Sequence, residues 1–221
     1  MGLIKKEFLL FLKDLANNNN REWFHANKKR YENELKKPFV EVVQTVIDGL
    51  NKAGHNIEIA PKDMIFRINR DIRFSKDKSP YKTNVGALIS EKGRRHKEYP
   101  GYYLHIEQGQ LMIGGGAYFM EKEALYACRQ AIANDPKGFK KIINAKAFKD
   151  HFGGIQGAKN KRIPKEFVEP GEKQELIYNK QFYFMAELDP KLLLKDDALK
   201  TIISHYKAGK ALNTFLQEAM S

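Results

Sequence analysis

Apolar residues fall at helical spacing through the first fifty positions: Phe8, Phe11, Leu12 and Leu15 recur every three or four residues and predict a first helix. The run Asn17 to Asn20 ends it, because asparagine side chains bond nearby backbone, and it supplies an N-cap for the next helix. That second helix is predicted from Arg21 to about Leu35, with Trp23, Phe24, Ala26, Tyr31 and Leu35 in its apolar positions. Pro38 suits the first turn of a third helix that runs to about Asn51, closed by Gly54. The N-terminal helices together span 5–53.

Between 56 and 118 the period shortens to two. "IEIA", "MIFRI", "VGALI", "YYLHIE" and "LMIGGGAYF" are short aromatic or β-branched runs parted by polar or glycine-bearing segments, and each predicts a strand. "EQGQ", Glu107 to Gln110, predicts a hairpin turn with Gly109 free to take a positive φ. Helical spacing returns over 121–219, in Leu125, Cys128 and Ile132 and again in Phe139, Ile142 and Ile143, with Pro136 opening the later helix. Gly153 to Lys165 is a basic connector without periodicity. "FYFMAEL" predicts one returning strand near 181–187, and a closing helix from about Asp196 to Glu218 carries Leu199, Ile202, Ile203, Tyr206, Leu212, Phe215 and Leu216. Helices, then strands, then helices predict the α+β class: a central antiparallel sheet of about four to five strands packed by N-terminal and C-terminal helices, in a single domain over 1–221. No repeat is visible.

Composition narrows the class of molecule. A chain of 221 residues buries a sizeable core in one domain, and 42% hydrophobic residues suit a folded soluble protein. Cys128 is the single cysteine, which excludes an internal disulfide and favours a reducing compartment; its place in a helical apolar pattern predicts core packing rather than a reactive thiol. The N-terminal apolar run is too short for a signal or membrane-spanning segment, and Lys6 stands where a myristoylation signal needs Ser or Thr. The expected location is the cytoplasm, with no membrane partner.

Charge is where the sequence becomes specific. The chain carries +12 overall, and from Lys62 to Lys97 eleven Lys or Arg face four Asp or Glu, so more than half the excess lies in 36 residues. A focused positive field favours anionic partners. Within it, "RINRDIRFSKDKSPYKT" places Arg67, Arg70 and Arg73 three apart. A turn at Asn69 to Asp71 would let the three guanidinium groups converge at one end of the sheet, where fork-shaped donors suit phosphate or carboxylate, with Lys76, Lys78 and Lys82 as added point charges. Asp71 and Asp77 would orient the arginines, or one would act as a base. The structural alternative is an ion network that pins a loop.

That central run resembles the signature of a widespread, mainly bacterial family of uncharacterised proteins, a domain of unknown function of about this length. The likeness extends to "REWFHANKKRYENELKKPF", "YYLHIEQGQLMIGGGAYFM" and "FVEPGEKQELIYNKQFY", which together cover nearly the whole chain. Positions that match are Trp23, Phe24, Asn27, Tyr31, Arg67, Arg70, Asp71, Arg73, Phe74, Ser75, Lys76, Asp77, Lys78, Pro80, Tyr81, Lys82, His105, Gly114 and Gly116. The resemblance implies one module and supplies no reaction.

Other candidates are fewer. On a strand, Tyr103, His105 and Glu107 share one face and Tyr102, Leu104 and Ile106 the other, so His105 with Glu107 is a candidate proton shuttle or half a metal site, against a half-buried structural histidine bonded to its neighbours. Gly114 to Gly116 lack the spacing of a dinucleotide loop or a P-loop, which favours close strand packing over an anion nest. The remaining histidines show no metal-ligand spacing, so no metal and no cofactor are expected. The candidates are therefore Asp71 and His105 for acid-base chemistry and Arg67, Arg70, Arg73, Lys76, Lys78, Tyr81, Lys82 and Asn27 for ligand contact. The expected partner is an anionic small molecule or a nucleic acid phosphate backbone; otherwise the motif is a scaffold's ion network.

Overall fold

The structure is a computed structural model that describes residues 2–221. It is α+β: helices α1 (Lys6–Asn17), α2 (Arg21–Ala26), α3 (Lys28–Arg30) and α4 (Lys37–Lys52) precede strands β1 (Asn84–Ile89), β2 (Gly101–Glu107) and β3 (Gln110–Ala117). Then come α5 (Lys122–Asn134), α6 (Pro136–Ile143), α7 (Lys146–Phe152), α8 (Val168–Lys173), strand β4 (Phe182–Leu188) and the closing α9 (Ala198–Ala219). The four strands form one open antiparallel sheet in the order β1-β2-β3-β4. Among the described residues, no helix is long and apolar enough to cross a membrane.

The chain packs as two compact units, one from Met1–Arg95, Tyr103–Ile113 and Glu187–Ser204, the other from His96–Tyr102, Gly114–Ala186 and His205–Ser221. In the first, Phe8, Phe11, Leu12 and Leu15 of α1 and Phe39, Val42, Val43, Val46, Ile47 and Leu50 of α4 are buried, as the helical spacing predicts. Gly49 of α4 leaves the room that Ile203 of α9 occupies. In the second, Cys128, Ile132, Phe139, Phe148, Phe182, Phe184, Leu212 and Leu216 form the core. Burial there pushes the Cys128 thiol up to about 12, so it is an inert packing group.

Two predicted boundaries change. The expected new helix at Pro38 does not begin there: α3, a π-helical turn at Tyr31–Lys36 and α4 run on without a gap. A π turn already departs from the i→i−4 ladder, which is where a residue lacking an N–H is tolerated. "IEIA" is not a strand, because both backbone groups of Ile57 are taken by one side chain: Asn51 accepts from its N–H at 2.9 Å and donates to its carbonyl at 3.0 Å. "MIFRI" is intermediate. It runs antiparallel to β1 and the stretch leading into it through isolated bridges, Ile65 to Ala87 and Asn69 to Tyr81.

The glycine run behaves as a packing device. A side chain at Gly114 would strike Met185, and one at Gly115 would meet the Gly101 carbonyl at 2.6 Å. Gly116 has φ +96° and gives its N–H to Asn213 of α9 at 2.8 Å, so that amide is not available to an anion. The Asn213 amide also donates to the Gly101 carbonyl at 3.2 Å.

Candidate functional site

The basic motif folds as a long hairpin whose two arms pair from Met64 to Arg70 and from Pro80 to Leu88. Backbone bonds run from Phe66 to Gly86, Leu88 to Met64, Lys82 to Ile68 and Arg70 to Pro80, at 2.8 to 3.0 Å. Pro80 accepts the last of these and has no N–H to return, so the ladder stops and residues 71–79 form the tip. One side chain of the asparagine run places this hairpin while its neighbour caps the adjoining helix. Asn20 caps α2 by accepting from the Trp23 N–H at 2.8 Å. Asn19 donates to the Tyr81 carbonyl at 2.9 Å and accepts from its N–H at 3.1 Å, as a strand neighbour would.

Beside the hairpin lies a cavity of about 390 Å³, lined by Phe66, Arg70, Asp71, Lys82, Asn84, Gly86, Tyr103 and His105. All belong to the first compact unit. Alternation makes the wall: Asn84 and Gly86 lie on one face of β1 and Tyr103 and His105 on one face of β2, while Leu104 and Ile106 point into the core.

The charges are partly matched. Arg70 pairs with Asp77, and Asp77 also accepts from the Ser79 backbone at 2.9 Å and from its hydroxyl at 2.6 Å. Arg73 holds Asp71 through bonds of 3.0 and 2.7 Å. Lys82 has no carboxylate partner among the described residues; its ammonium lies 5.5 Å from the Phe66 ring centroid. Burial, and secondarily the positive charge of Arg67, lower its pKa. A half-buried ammonium beside a second cation is one whose surroundings disfavour its charge until an anion meets it.

Two candidate bases differ in kind. Hydrogen bonds from Arg73 hold the Asp71 carboxyl at about 2, which makes it a weak base near neutrality. His105 is pushed below its ordinary value by burial, against the pull of Glu107, so it stands neutral at neutral pH and able to take a proton. Its Nδ1 is 3.0 Å from the Tyr103 hydroxyl. Its Nε2 is 3.5 Å from a Glu107 oxygen, an ion-pair separation too long for a well-formed hydrogen bond. The carboxylate favours the proton on Nε2, which leaves Nδ1 to accept from Tyr103.

Of the sequence candidates, Arg70, Asp71, Lys82 and His105 meet at the cavity, with Arg67 close enough to act electrostatically on Asp71 and Lys82. The expected convergence of three guanidinium groups does not occur, because the paired arm carries Arg70 to the wall while Arg73 lies on the exposed tip, 76% accessible. Lys76 and Lys78 are also on the tip, where the Lys78 ammonium donates to the Ile72 carbonyl at 3.0 Å. Tyr81 is buried, stacked on Phe24 at 3.9 Å. Asn27 spends its amide locally, donating to Trp23 and accepting from Arg30.

Phe66, Asn84, Gly86 and Tyr103 line the cavity and were not among the candidates. Period-two alternation put Tyr103 on the His105 face; the register that sets Phe66 beside Gly86 has no local signal. Among the described residues no three His, Cys, Asp or Glu gather as a metal site would need. Among curated proteins, none matches the chain. The family described as conserved hypothetical protein (DUF2461) matches residues 7–215, and the chain belongs to that family.

Proposed function

We propose that the protein binds a small phosphorylated or otherwise anionic ligand in the cavity beside the hairpin, with Lys82 and Arg70 as its anion contacts and His105 as a proton-transfer group. The observation that carries this reading is Lys82: a half-buried ammonium with no carboxylate partner among the described residues, on the wall of a 390 Å³ space. Such a group costs stability unless an anion meets it. Arg70 adds a fork-shaped donor with a side chain 28% exposed, already oriented by Asp77. Neutral His105, whose Nδ1 accepts from the Tyr103 hydroxyl while Glu107 lies beyond Nε2, is arranged to take up a proton relayed through Tyr103 from a group bound in the cavity.

The test is a thermal-shift screen with inorganic phosphate, nucleotides, sugar phosphates and dicarboxylates at about 10 mM, since a ligand that binds only the folded state raises Tm. Wild type is expected to gain several degrees from at least one phosphate ester. Lys82→Met is expected to lose that gain while its own ligand-free Tm rises by about 1–2 °C, because an uncompensated cation is gone. No shift from any anion, or a shift that Lys82→Met retains, rejects the reading.

A further inference from the structure

The hairpin tip has a feature that the cavity does not use. Phe74 is 95% exposed, the most accessible of the exposed large hydrophobic side chains, and it sits among Arg73, Lys76 and Lys78. The two carboxylates of the tip are exposed but paired on their own loop: Asp71 is held by Arg73, and Asp77 by Arg70 and Ser79. Lys78 is tied to the Ile72 carbonyl. These bonds set the loop's shape, so the ring and the ammonium groups are displayed without a large ordering cost on binding. Arg73 carries its guanidinium carbon 5.8 Å from the Phe74 ring centroid.

We infer that this tip docks single-stranded nucleic acid, with a base stacked on Phe74 and neighbouring phosphates on Arg73, Lys76 and Lys78. A lone exposed ring offers every base the same π face, and the flanking cations suit a backbone with one charge per nucleotide. Duplex bases are already stacked, so the ring discriminates in favour of single strands. An anionic membrane is the competing partner for a basic, aromatic-tipped loop. It fits less well: only one fully exposed apolar side chain is present and Ile72 is half-buried, too little apolar surface to insert into a bilayer.

The experiment is fluorescence anisotropy with labelled DNA and RNA strands of about 20 nucleotides, and the matching duplex, at roughly 50 and 200 mM NaCl. Wild type should bind the single strands more tightly than the duplex and weaken steeply with salt. Phe74→Ala should reduce single-strand affinity about tenfold with Tm unchanged, because the ring packs on nothing that the fold needs. Phe74→Trp should retain affinity and add an indole emission, beside that of Trp23, which the oligonucleotide quenches. Lys76→Gln with Lys78→Gln should shallow the salt slope by roughly one to two. Lys82→Met should leave strand binding intact, which separates this site from the cavity. The inference is overturned by absence of strand binding at the lower salt, by Phe74→Ala binding as wild type does, by loss of binding in Lys82→Met, or by Phe74-dependent binding to phosphatidylserine vesicles without binding to strands.

Discussion

At the scale of single residues, His105 is the group whose environment most directly predicts behaviour. Burial disfavours its charged form and Lys82 adds to that, while Glu107 opposes; the net effect is a pKa below 6.5. In the unfolded chain the imidazole takes up a proton at about 6.5, and in the folded protein it resists until lower pH. The unfolded state therefore binds more protons below that value, and folding stability contributed by His105 is present above pH 6.5 and declines as pH falls through the window beneath it. Chemical denaturation at pH 7.5 and 5.5 should show wild type losing stability on acidification and His105→Gln losing less; equal losses would show that His105 is not the titrating group. Asp71 acts in a separate range. Held at about 2 by Arg73, its contribution is present above the ordinary carboxylate value and fades only in strong acid. Candidate residues of this kind were legible because chemistry is written in residue identity, but their roles were not. Asp71 and His105 are both candidate bases by residue type, and their surroundings separate them: the Arg73 guanidinium on the Asp71 carboxylate, and the burial of the His105 ring.

Elements were legible where a single segment carries its own pattern, and hidden where a distant partner decides. The two faces of β2 follow from alternation alone, and the closing helix from its apolar stripe, so both were readable from spacing. "IEIA" alternates too, yet it is no strand, since Asn51 satisfies the backbone of Ile57 in place of a neighbouring strand. The hairpin's position is likewise set from far away in sequence. Asn19 grips the backbone of Tyr81 across 62 residues, and Phe24 stacks on its ring. Nothing local distinguishes Asn19 from the three asparagines beside it, which together read as a turn and a cap. Asn19→Ala removes both bonds and leaves a half-buried backbone N–H and carbonyl at Tyr81 without their partner, which should cost about 1–3 kcal/mol in urea denaturation. It should also weaken any phosphate-ester shift, since Lys82 directly follows Tyr81. A loss below a few tenths of a kcal/mol would mean that the ring stack alone fixes the hairpin.

For the whole molecule, the excess of twelve positive charges is a physical property that no element owns. Opposite charges do pair on the surface, as in Lys36 with Glu32, Lys146 with Asp150 and Lys173 with Glu169, each four residues apart on a helix. Exposed pairs of this kind contribute about 0–1 kcal/mol each, and salt weakens them. Salt also weakens the repulsion among the uncompensated cations, and that term favours the unfolded chain, which can spread its charges apart. The second effect should win, because the pairs leave the net +12 untouched while their own contribution is small. Raising NaCl from about 20 to 300 mM shortens the screening length from roughly 20 Å to below 10 Å and should raise Tm by a few degrees. Sodium phosphate at matched ionic strength should raise it further if the cavity takes the anion, and Lys82→Met should lose only that additional part. A Tm that is flat or falling in NaCl would mean that the surface pairs, rather than the excess charge, set the electrostatic balance of the fold.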